Sequence, residues 1–229
     1  MGKHFIIFSH GFGVRQDDRG LFTDIAAKLR GIECILFDYN QVDTATNTIT
    51  VAPLNEQTER LRQVVDAVRT QNPDATIDLI AHSQGCVVAG LANPSGIRRI
   101  VLTAPPPKLS AKGMVDRWQE RQGIHFDINT TSRIVRQDRT ILVPPHYWKS
   151  LSGIDAQKLY SQLAEHAPTT IIAPTQDEVL GNVIFDNLSP KITMIPMDTG
   201  HNFEGKARRQ LAITIAKELG IGQVTNEVS

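Results

Sequence analysis

The apolar residues of this chain come in short bursts between polar stretches, and the bursts follow two different periods. Phe5-Ile6-Ile7-Phe8, Cys34-Ile35-Leu36-Phe37, Thr76-Ile77-Asp78-Leu79-Ile80 and the run from Arg99 to Ala104 are nearly continuous. Runs so short and so apolar predict strands covered on both faces, as in a parallel sheet. Between them the period changes. Leu61, Val64, Val65 and Val68 form an i, i+3, i+4, i+7 stripe, and Ile25, Ala26 and Leu29 mark a helix expected over Phe22 to Arg30. Cys86-Val87-Val88-Ala89-Gly90-Leu91 is apolar on nearly every side, which predicts the start of a buried helix. Residues 41 to 53, rich in Thr and Asn, predict an exposed loop. Strand and helix therefore alternate up to Pro105, the mark of a parallel sheet with helices on both faces.

The rhythm stops at Pro105-Pro106-Pro107. Beyond it the pattern predicts a polar helix (Ala111 to Gln122) and alternating runs around His125 to Val135 and Thr140 to Val143. A turn at Gln137-Asp138-Arg139 is expected between the two runs, and helical stretches near Tyr147 to Leu151 and Asp155 to Ala164 follow. We read residues 107–167 as a cap inserted after the fourth predicted strand, within a single domain spanning 1–229. Strands resume at Thr169 to Ala173 and Ile192 to Ile195. A last helix carries Leu211, Ala212, Ile215, Ala216 and Leu219 on one face.

Composition narrows the class. A hydrophobic fraction of 41% with 21% charged residues is that of a soluble globular protein. Lys+Arg and Asp+Glu are 24 each, so no net field favours nucleic acid or an anionic membrane. No apolar stretch approaches the length of a membrane span. Met1-Gly2-Lys3-His4 enters a strand without a signal-peptide pattern, and Ile6 stands where a myristoylation motif wants Ser or Thr. Cys34 and Cys86 are isolated in apolar surroundings, without metal-ligand spacing, and read as small core hydrophobes. A cytoplasmic location is the expectation.

The chemistry concentrates at Ala81-His82-Ser83-Gln84-Gly85, between a predicted buried strand and a predicted buried helix. Small-x-Ser-x-Gly in that setting forms a strained turn that lifts the serine hydroxyl clear of the sheet. The small residues serve the close approach of strand and helix. On these residues the chain resembles the α/β-hydrolases, with Ala81 replacing the first glycine of their usual pattern. The resemblance implies a mostly parallel central sheet with helices on both faces and a catalytic triad in the chain order Ser, acid, His. Asp177, in Pro174-Thr175-Gln176-Asp177-Glu178 after a strand, matches the acid loop. His201, in Asp198-Thr199-Gly200-His201-Asn202-Phe203, matches the histidine loop. Glu178 and Asp198 compete with Asp177. Glu178 is one residue beyond the matching position, and Asp198 suits a turn cap. His4, His125, His146 and His166 have structural or solvated readings.

His10-Gly11-Phe12-Gly13 resembles the family's His-Gly loop, which implies an oxyanion hole from the backbone N–H groups of Phe12 and Gln84. His10 is then expected to shape the loop rather than transfer protons. Aromatic residues of the cap segment, Trp118, Tyr147 and Trp148, are candidates for substrate binding. The resemblance implies a serine hydrolase acting on a small-molecule acyl substrate, with carboxylic ester ahead of thioester, lactone or amide. It further implies no cofactor, no metal, no nucleic acid and no membrane span, and leaves the oligomeric state open. The cap position and Tyr147-Trp148 are similar to small capped bacterial esterases, including cinnamoyl-ester hydrolases.

Two other classes compete. Gly11-Phe12-Gly13 after a strand, with Asp38 ending the next, partly fits a dinucleotide-binding turn. However, Gln16 stands at the third glycine, and Ser83, Asp177 and His201 are left unexplained. A catalytically silent α/β-hydrolase acting as a ligand-binding protein would not need the complete triad.

Overall fold

The computed structural model describes residues 2–136 and 138–222. In chain order the first half contains β1 (His4–Ser9), α1 (Leu21–Ala26), β2 (Glu33–Leu36), β3 (Gln41–Asp43), β4 (Thr48–Thr50), α2 (Leu54–Gln71), β5 (Thr76–His82), α3 (Gln84–Ala92) and β6 (Ile100–Thr103). The second half contains α4 (Ala111–Gln122), β7 (Ser132–Val135), β8 (Thr140–Val143), α5 (Pro145–Ser150), α6 (Ala156–His166), β9 (Thr169–Pro174), β10 (Ile192–Met197) and α7 (Lys206–Glu218). Six strands form the central sheet in the order β10-β9-β6-β5-β1-β2, all parallel.

Each strand divides its side chains between two faces, because successive residues point oppositely. Ile6, Phe8, Ile80, Val101 and Ile172 pack with Phe22 and Ile25 of α1 and Leu211 and Ile215 of α7. Phe5, Ile7, Leu79, Leu102 and Ile171 pack with Leu61 and Val65 of α2, Val87 and Val88 of α3, and Tyr160 and Leu163 of α6. Both faces are covered, so the strands read as unbroken apolar runs. Helix α6 packs on α3 and leads directly into β9, making it the crossover between β6 and β9.

Residues 41–50 depart from the expected loop. They form an antiparallel hairpin, β3–β4, whose strand β4 pairs in parallel with β8. Strand β7 completes a second, four-stranded sheet in the order β3-β4-β8-β7. Ile49 and Val51 are fully buried there. The alternation Thr48-Ile49-Thr50-Val51 has the right period for a strand, but its partner lies far along the chain. Helix α1 is also shorter than expected: it ends at Ala26, and single i to i+3 backbone bonds carry the chain past Leu29.

An ion cluster locks the sheet end opposite the serine. Asp78, fully buried on β5, accepts hydrogen bonds from His4 Nε2 at 2.7 Å and from Arg98 Nε at 3.0 Å and Nη2 at 2.5 Å. Arg98 also donates to the Leu219 carbonyl at 2.7 Å, tying β1, β5, the entry to β6 and the end of α7 together. Removing one partner leaves the others desolvated and uncompensated. Asp78→Ala is expected to lower the unfolding free energy by ~2–3 kcal/mol, below the usual buried-pair figure because the Arg98 side chain is 37% exposed. Urea denaturation with an unchanged m-value measures it.

Candidate active site

The turn between β5 and α3 sets the site. Ser83 has φ 53° and ψ −125°, a conformation that L residues rarely adopt. The Ser83 N–H donates to the Thr103 carbonyl at 2.9 Å, and its own carbonyl accepts from Cys86 at 3.0 Å. Gly85 makes the turn possible, since a Cβ there would run into the backbone carbonyls of Ser9 and His10. Ala81 lies fully buried opposite Ser9, so its methyl is accommodated within the sheet.

Two further loops converge on the serine. After β9, Asp177 is held by its own loop: its Oδ1 accepts the N–H groups of Val179 at 2.9 Å and Leu180 at 2.6 Å. Following β10, His201 places its ring between the two side chains. Its Nδ1–H donates to Asp177 Oδ2 at 2.7 Å, and its Nε2 accepts from the Ser83 hydroxyl at 2.9 Å. Both Asp177 and His201 are buried, while Ser83 is partly accessible. The competing acids occupy different places. Glu178 Oε2 accepts the backbone N–H of His201 at 2.9 Å. Asp198 accepts from Thr175 Oγ1 at 3.2 Å and Gln176 Nε2 at 2.7 Å, so it ties the acid loop to the histidine loop.

The His10-Gly11-Phe12-Gly13 loop follows β1, beside the serine. No backbone carbonyl among the described residues engages the N–H of Phe12 or of Gln84. The loop is braced from behind. Gly11 N–H donates to Asp18 Oδ2 at 2.8 Å, and Asp18 is almost fully buried, with burial raising its pKa. His10 stacks on Tyr39 with ring centroids 3.9 Å apart, and the Tyr39 hydroxyl donates to the His10 carbonyl. Gly13 has φ +62° and lies against Ile141 of β8, so the loop touches the second sheet there. Gln84 turns its side chain away from the serine. It accepts from the Tyr147 hydroxyl at 2.5 Å and donates to Gln57 at 3.0 Å.

A cavity of about 750 Å³ opens over Ser83 and His201. Phe12, Leu109, Met114, Trp118 and Ile141 supply apolar lining. Of the three cap aromatics singled out from sequence, only Trp118 lines it. Tyr147 and Trp148 are a layer deeper, 0% and 3% exposed, in an aromatic stack that runs from Phe12 through Tyr147 and Trp148 to Phe126. Their apolar bulk fills the space behind the wall rather than facing the opening. Asp18 and the Gln84 side chain are positioning groups that motif spacing did not single out, and Glu178, weighed there only as a rival acid, holds the His201 backbone instead.

Two buried histidines near the site stay neutral. Burial lowers the pKa of His10 to about 4 and that of His82 well below its usual value. The His82 ring is centred 5.1 Å from that of His201, and its Nδ1 faces Thr103 Oγ1 at 3.1 Å. A neutral neighbour avoids repulsion when His201 takes up a proton. Cys34 and Cys86 are free thiols whose pKa values burial raises, to about 11 for Cys34.

The strand order, the strained serine after β5, and the acid and histidine loops after β9 and β10 together define the α/β-hydrolase fold. This chain is an α/β-hydrolase-fold protein. Among solved structures it is similar to Est1E from Butyrivibrio proteoclasticus, with TM-score 0.61 and 16% identity over 96% of this chain and 89% of that one. The alpha/beta hydrolase GrgF from Penicillium sp. sh18 matches with TM-score 0.66 and 16% identity, covering 96% and 92%. An alpha-beta serine hydrolase homologue from Coxiella burnetii gives 0.60 and 16%, covering 95% and 85%. At these identities the likeness is one of fold. Residues 37–142 match the family model described as the T6SS Tle3 phospholipase effector domain. No curated protein matches at a significant level. Among the described residues no helix is long and apolar enough to cross a membrane, and no His/Cys/Asp/Glu group is arranged to hold a metal ion.

The neutral histidines make stability depend on pH. A histidine whose folded pKa lies below its unfolded value of ~6.5 favours the native state above that value, and loses the contribution as pH falls toward the folded pKa. For His10 the window runs from about 6.5 down to about 4, worth roughly 3 kcal/mol. His82 acts in the same direction, and the raised pKa of Asp18 opposes both. Unfolding free energy measured by denaturant is expected to fall steadily between pH 6.5 and 4. His10→Gln is expected to flatten that slope; an equal slope in the variant would exclude His10 as its source.

Proposed function

We propose that this protein is a serine hydrolase that cleaves an acyl bond, with carboxylic ester as the leading class, through an acyl-serine intermediate. The observation that carries the reading is the single imidazole bridging Ser83 at 2.9 Å and Asp177 at 2.7 Å. A serine hydroxyl is a weak nucleophile unless its proton is taken during attack. His201 Nε2 is placed to take that proton. Asp177, fixed by two backbone N–H groups, holds the imidazole in the required tautomer and balances the imidazolium. Attack by Ser83 Oγ on the ester carbonyl forms a C–O bond and places negative charge on the carbonyl oxygen. The N–H groups of Phe12 and Gln84 are assigned to receive it, the first in a loop braced by Asp18 and the second on a residue whose side chain Tyr147 holds. Collapse returns the proton from His201 to the leaving alkoxide. A water activated by the same histidine then hydrolyses the acyl-serine.

Residues 107–167 act as the cap in this reading. Leu109, Met114, Trp118 and Ile141 of this segment line the cavity. Similar proteins point the same way: Est1E has also been solved with ferulic acid bound, and the matching family model is a phospholipase effector domain.

Labelling with a fluorophosphonate and a kinetic screen of aryl esters, thioesters and amides of graded acyl length test the activity. Ser83→Ala is expected to abolish both labelling and turnover. Asp177→Asn is expected to lower kcat by roughly 10⁴, with Glu178→Gln and Asp198→Asn costing less. Wild-type turnover persisting in Ser83→Ala would refute the mechanism.

Pocket size is read separately. Trp118→Ala is expected to shift acyl-length preference by tens-fold or more, since each methylene is worth ~1–3 kcal/mol. Tyr147→Phe, one layer deeper, is expected to leave the length profile in place and to lower kcat by freeing Gln84. An unchanged profile in Trp118→Ala would remove this side chain from the acyl pocket.

A further inference from the structure

Between the His10-Gly11-Phe12-Gly13 loop and α1, two consecutive residues other than glycine lie in the left-handed region, Asp18 at φ 45° and Arg19 at φ 58°. Such backbone is costly for L residues and persists only where the surrounding structure imposes it. Here it sends two neighbouring side chains in different directions. Asp18 turns inward, its side chain fully buried, and its Oδ2 accepts the Gly11 N–H at 2.8 Å. Arg19 turns outward, its side chain 45% exposed, and its Nη2 donates to Asn202 Oδ1 at 2.7 Å. The same Nη2 lies 3.7 Å from Asp18 Oδ1, an oxygen with no hydrogen-bond partner among the described residues. One guanidinium nitrogen therefore stands between the carboxylate that braces the Gly loop and the side chain next to His201.

The far end of this link is itself held. The Asn202 carbonyl accepts from Arg208 Nη2 at 3.1 Å, and Arg208 Nη1 pairs with Asp24 of α1 at 3.0 Å. Asn202 thus has an anchored backbone, and Arg19 anchors its side chain. Charge strengthens the near end. Burial raises the pKa of Asp18, and of the groups acting on it Arg19 is the permanent cation, His10 and His201 being imidazoles. By favouring the ionised carboxylate, Arg19 also strengthens the hydrogen bond that Asp18 accepts from Gly11. Phe12 follows Gly11 and His201 precedes Asn202, so the link runs from one half of the site to the other. Stabilising a developing oxyanion while moving a proton needs donor and imidazole at a fixed spacing, and small misplacements are costly in rate.

We propose that Arg19 is a positioning residue that straps the Gly loop to the histidine loop. The strap keeps the Phe12 N–H and the His201 imidazole at one spacing around Ser83. Arg19 also borders the cavity, but in this role it acts through Asp18 and Asn202 rather than on substrate. The inference rests on the hydrolase reading for its effect on rate, and on the contacts alone for the strap.

Arg19→Met keeps an unbranched stem and removes both donor and charge, and Asn202→Ala cuts the same link from the other side. Hydrogen exchange of the full chain reads the strap without turnover. Each variant is expected to speed amide exchange about fivefold in both segments, residues 10–13 and 200–203, since local opening is set by the contacts that oppose it. With p-nitrophenyl hexanoate each is expected to lower kcat about tenfold while KM stays within about threefold. That loss is smaller than the ~10²–10³ that follows removal of a whole oxyanion donor. Because both changes cut one link, the double variant is expected to lose no more than about twofold beyond the worse single variant. Arg19→Lys, which offers one charged nitrogen in place of Nη2, is expected to return kcat to within about threefold of wild type. Thermal unfolding checks that each variant is folded. A raised KM at unchanged kcat would make Arg19 a substrate-binding group and overturn the strap. Multiplicative losses in the double variant would overturn it too, as would exchange that quickens in one segment alone. Absence of fluorophosphonate labelling and of ester turnover in the wild type would instead overturn the hydrolase reading, and the exchange rates would still decide the strap.

Discussion

The contact on which the site depends is between two backbones. Gly85 lets the first turn of α3 press against the carbonyls of Ser9 and His10, where β1 ends. Parallel pairing sets Ser9 beside Ala81, so β1 and β5 run out of sheet at the same level. The chain must then turn into α3 within one residue, and Ser83 takes the strain, at φ 53°. Such a conformation persists only where surrounding structure over-determines it. Here the Thr103 carbonyl holds the Ser83 N–H, and the Ser9 hydroxyl donates to the Gly85 carbonyl at 2.9 Å. The crossing that strains the serine also brings the His10-Gly11-Phe12-Gly13 loop alongside it. Candidate nucleophile and candidate oxyanion donors are thus positioned by one packing constraint.

That constraint would be wasted on a loose loop, and the interior around it is correspondingly polar. Asp18 is a buried carboxylate whose burial cost appears as a raised pKa, and it spends one oxygen on the Gly11 N–H. The residue itself sits at φ 45°, followed by Arg19 at 58° and Gly20 at 82°. These three consecutive left-handed residues lead the chain into α1, while the Asp18 side chain reaches back seven positions to the Gly loop. On the other side, Tyr147 and Gln57 grip the Gln84 side chain, and Gln57 in turn donates to the Ala52 carbonyl at 2.6 Å. The candidate oxyanion donors are therefore braced from behind by side chains of the surrounding structure.

Much of the sheet was legible because its strands are buried on both faces and read as apolar runs. The four inner strands β1, β5, β6 and β9 coincide with such runs, the edge strands β2 and β10 are apolar in sequence but only partly buried, and Leu61, Val65 and Val68 of α2 are buried as their spacing implies. The elbow residues were legible for a different reason: a small residue, a serine and a glycine at fixed offsets state a steric requirement directly. What escaped was long-range. The β3–β4 hairpin reads as polar loop because its strands are short and half their side chains are Thr or Asp. It becomes sheet only through β8, some ninety residues on, where the Val51 N–H meets the Leu142 carbonyl at 2.9 Å. Tyr147 and Trp148 share a composition with Trp118, but nothing local distinguishes a side chain that lines a cavity from one that backs its wall. Depth is a property of the assembled fold.

The second sheet makes the roof of the site a joint product of two distant segments. Thr140 donates to the Asn47 carbonyl at 3.1 Å, and the Asn47 side chain donates to the Asp138 carbonyl, so the hairpin after β2 fixes the turn that carries Arg136, Asp138 and Arg139. Ile141, one strand residue further, rests on Gly13 of the His10-Gly11-Phe12-Gly13 loop. A shift in the roof therefore cannot be isolated from the loop beneath it, nor from the charges on its turn. The charges on the turn and the geometry of the Gly loop share one set of contacts. In a chain with no net charge, an arginine-lined opening is then a feature of this assembled roof, invisible to composition and built by the same pairings that close the cavity over Ser83.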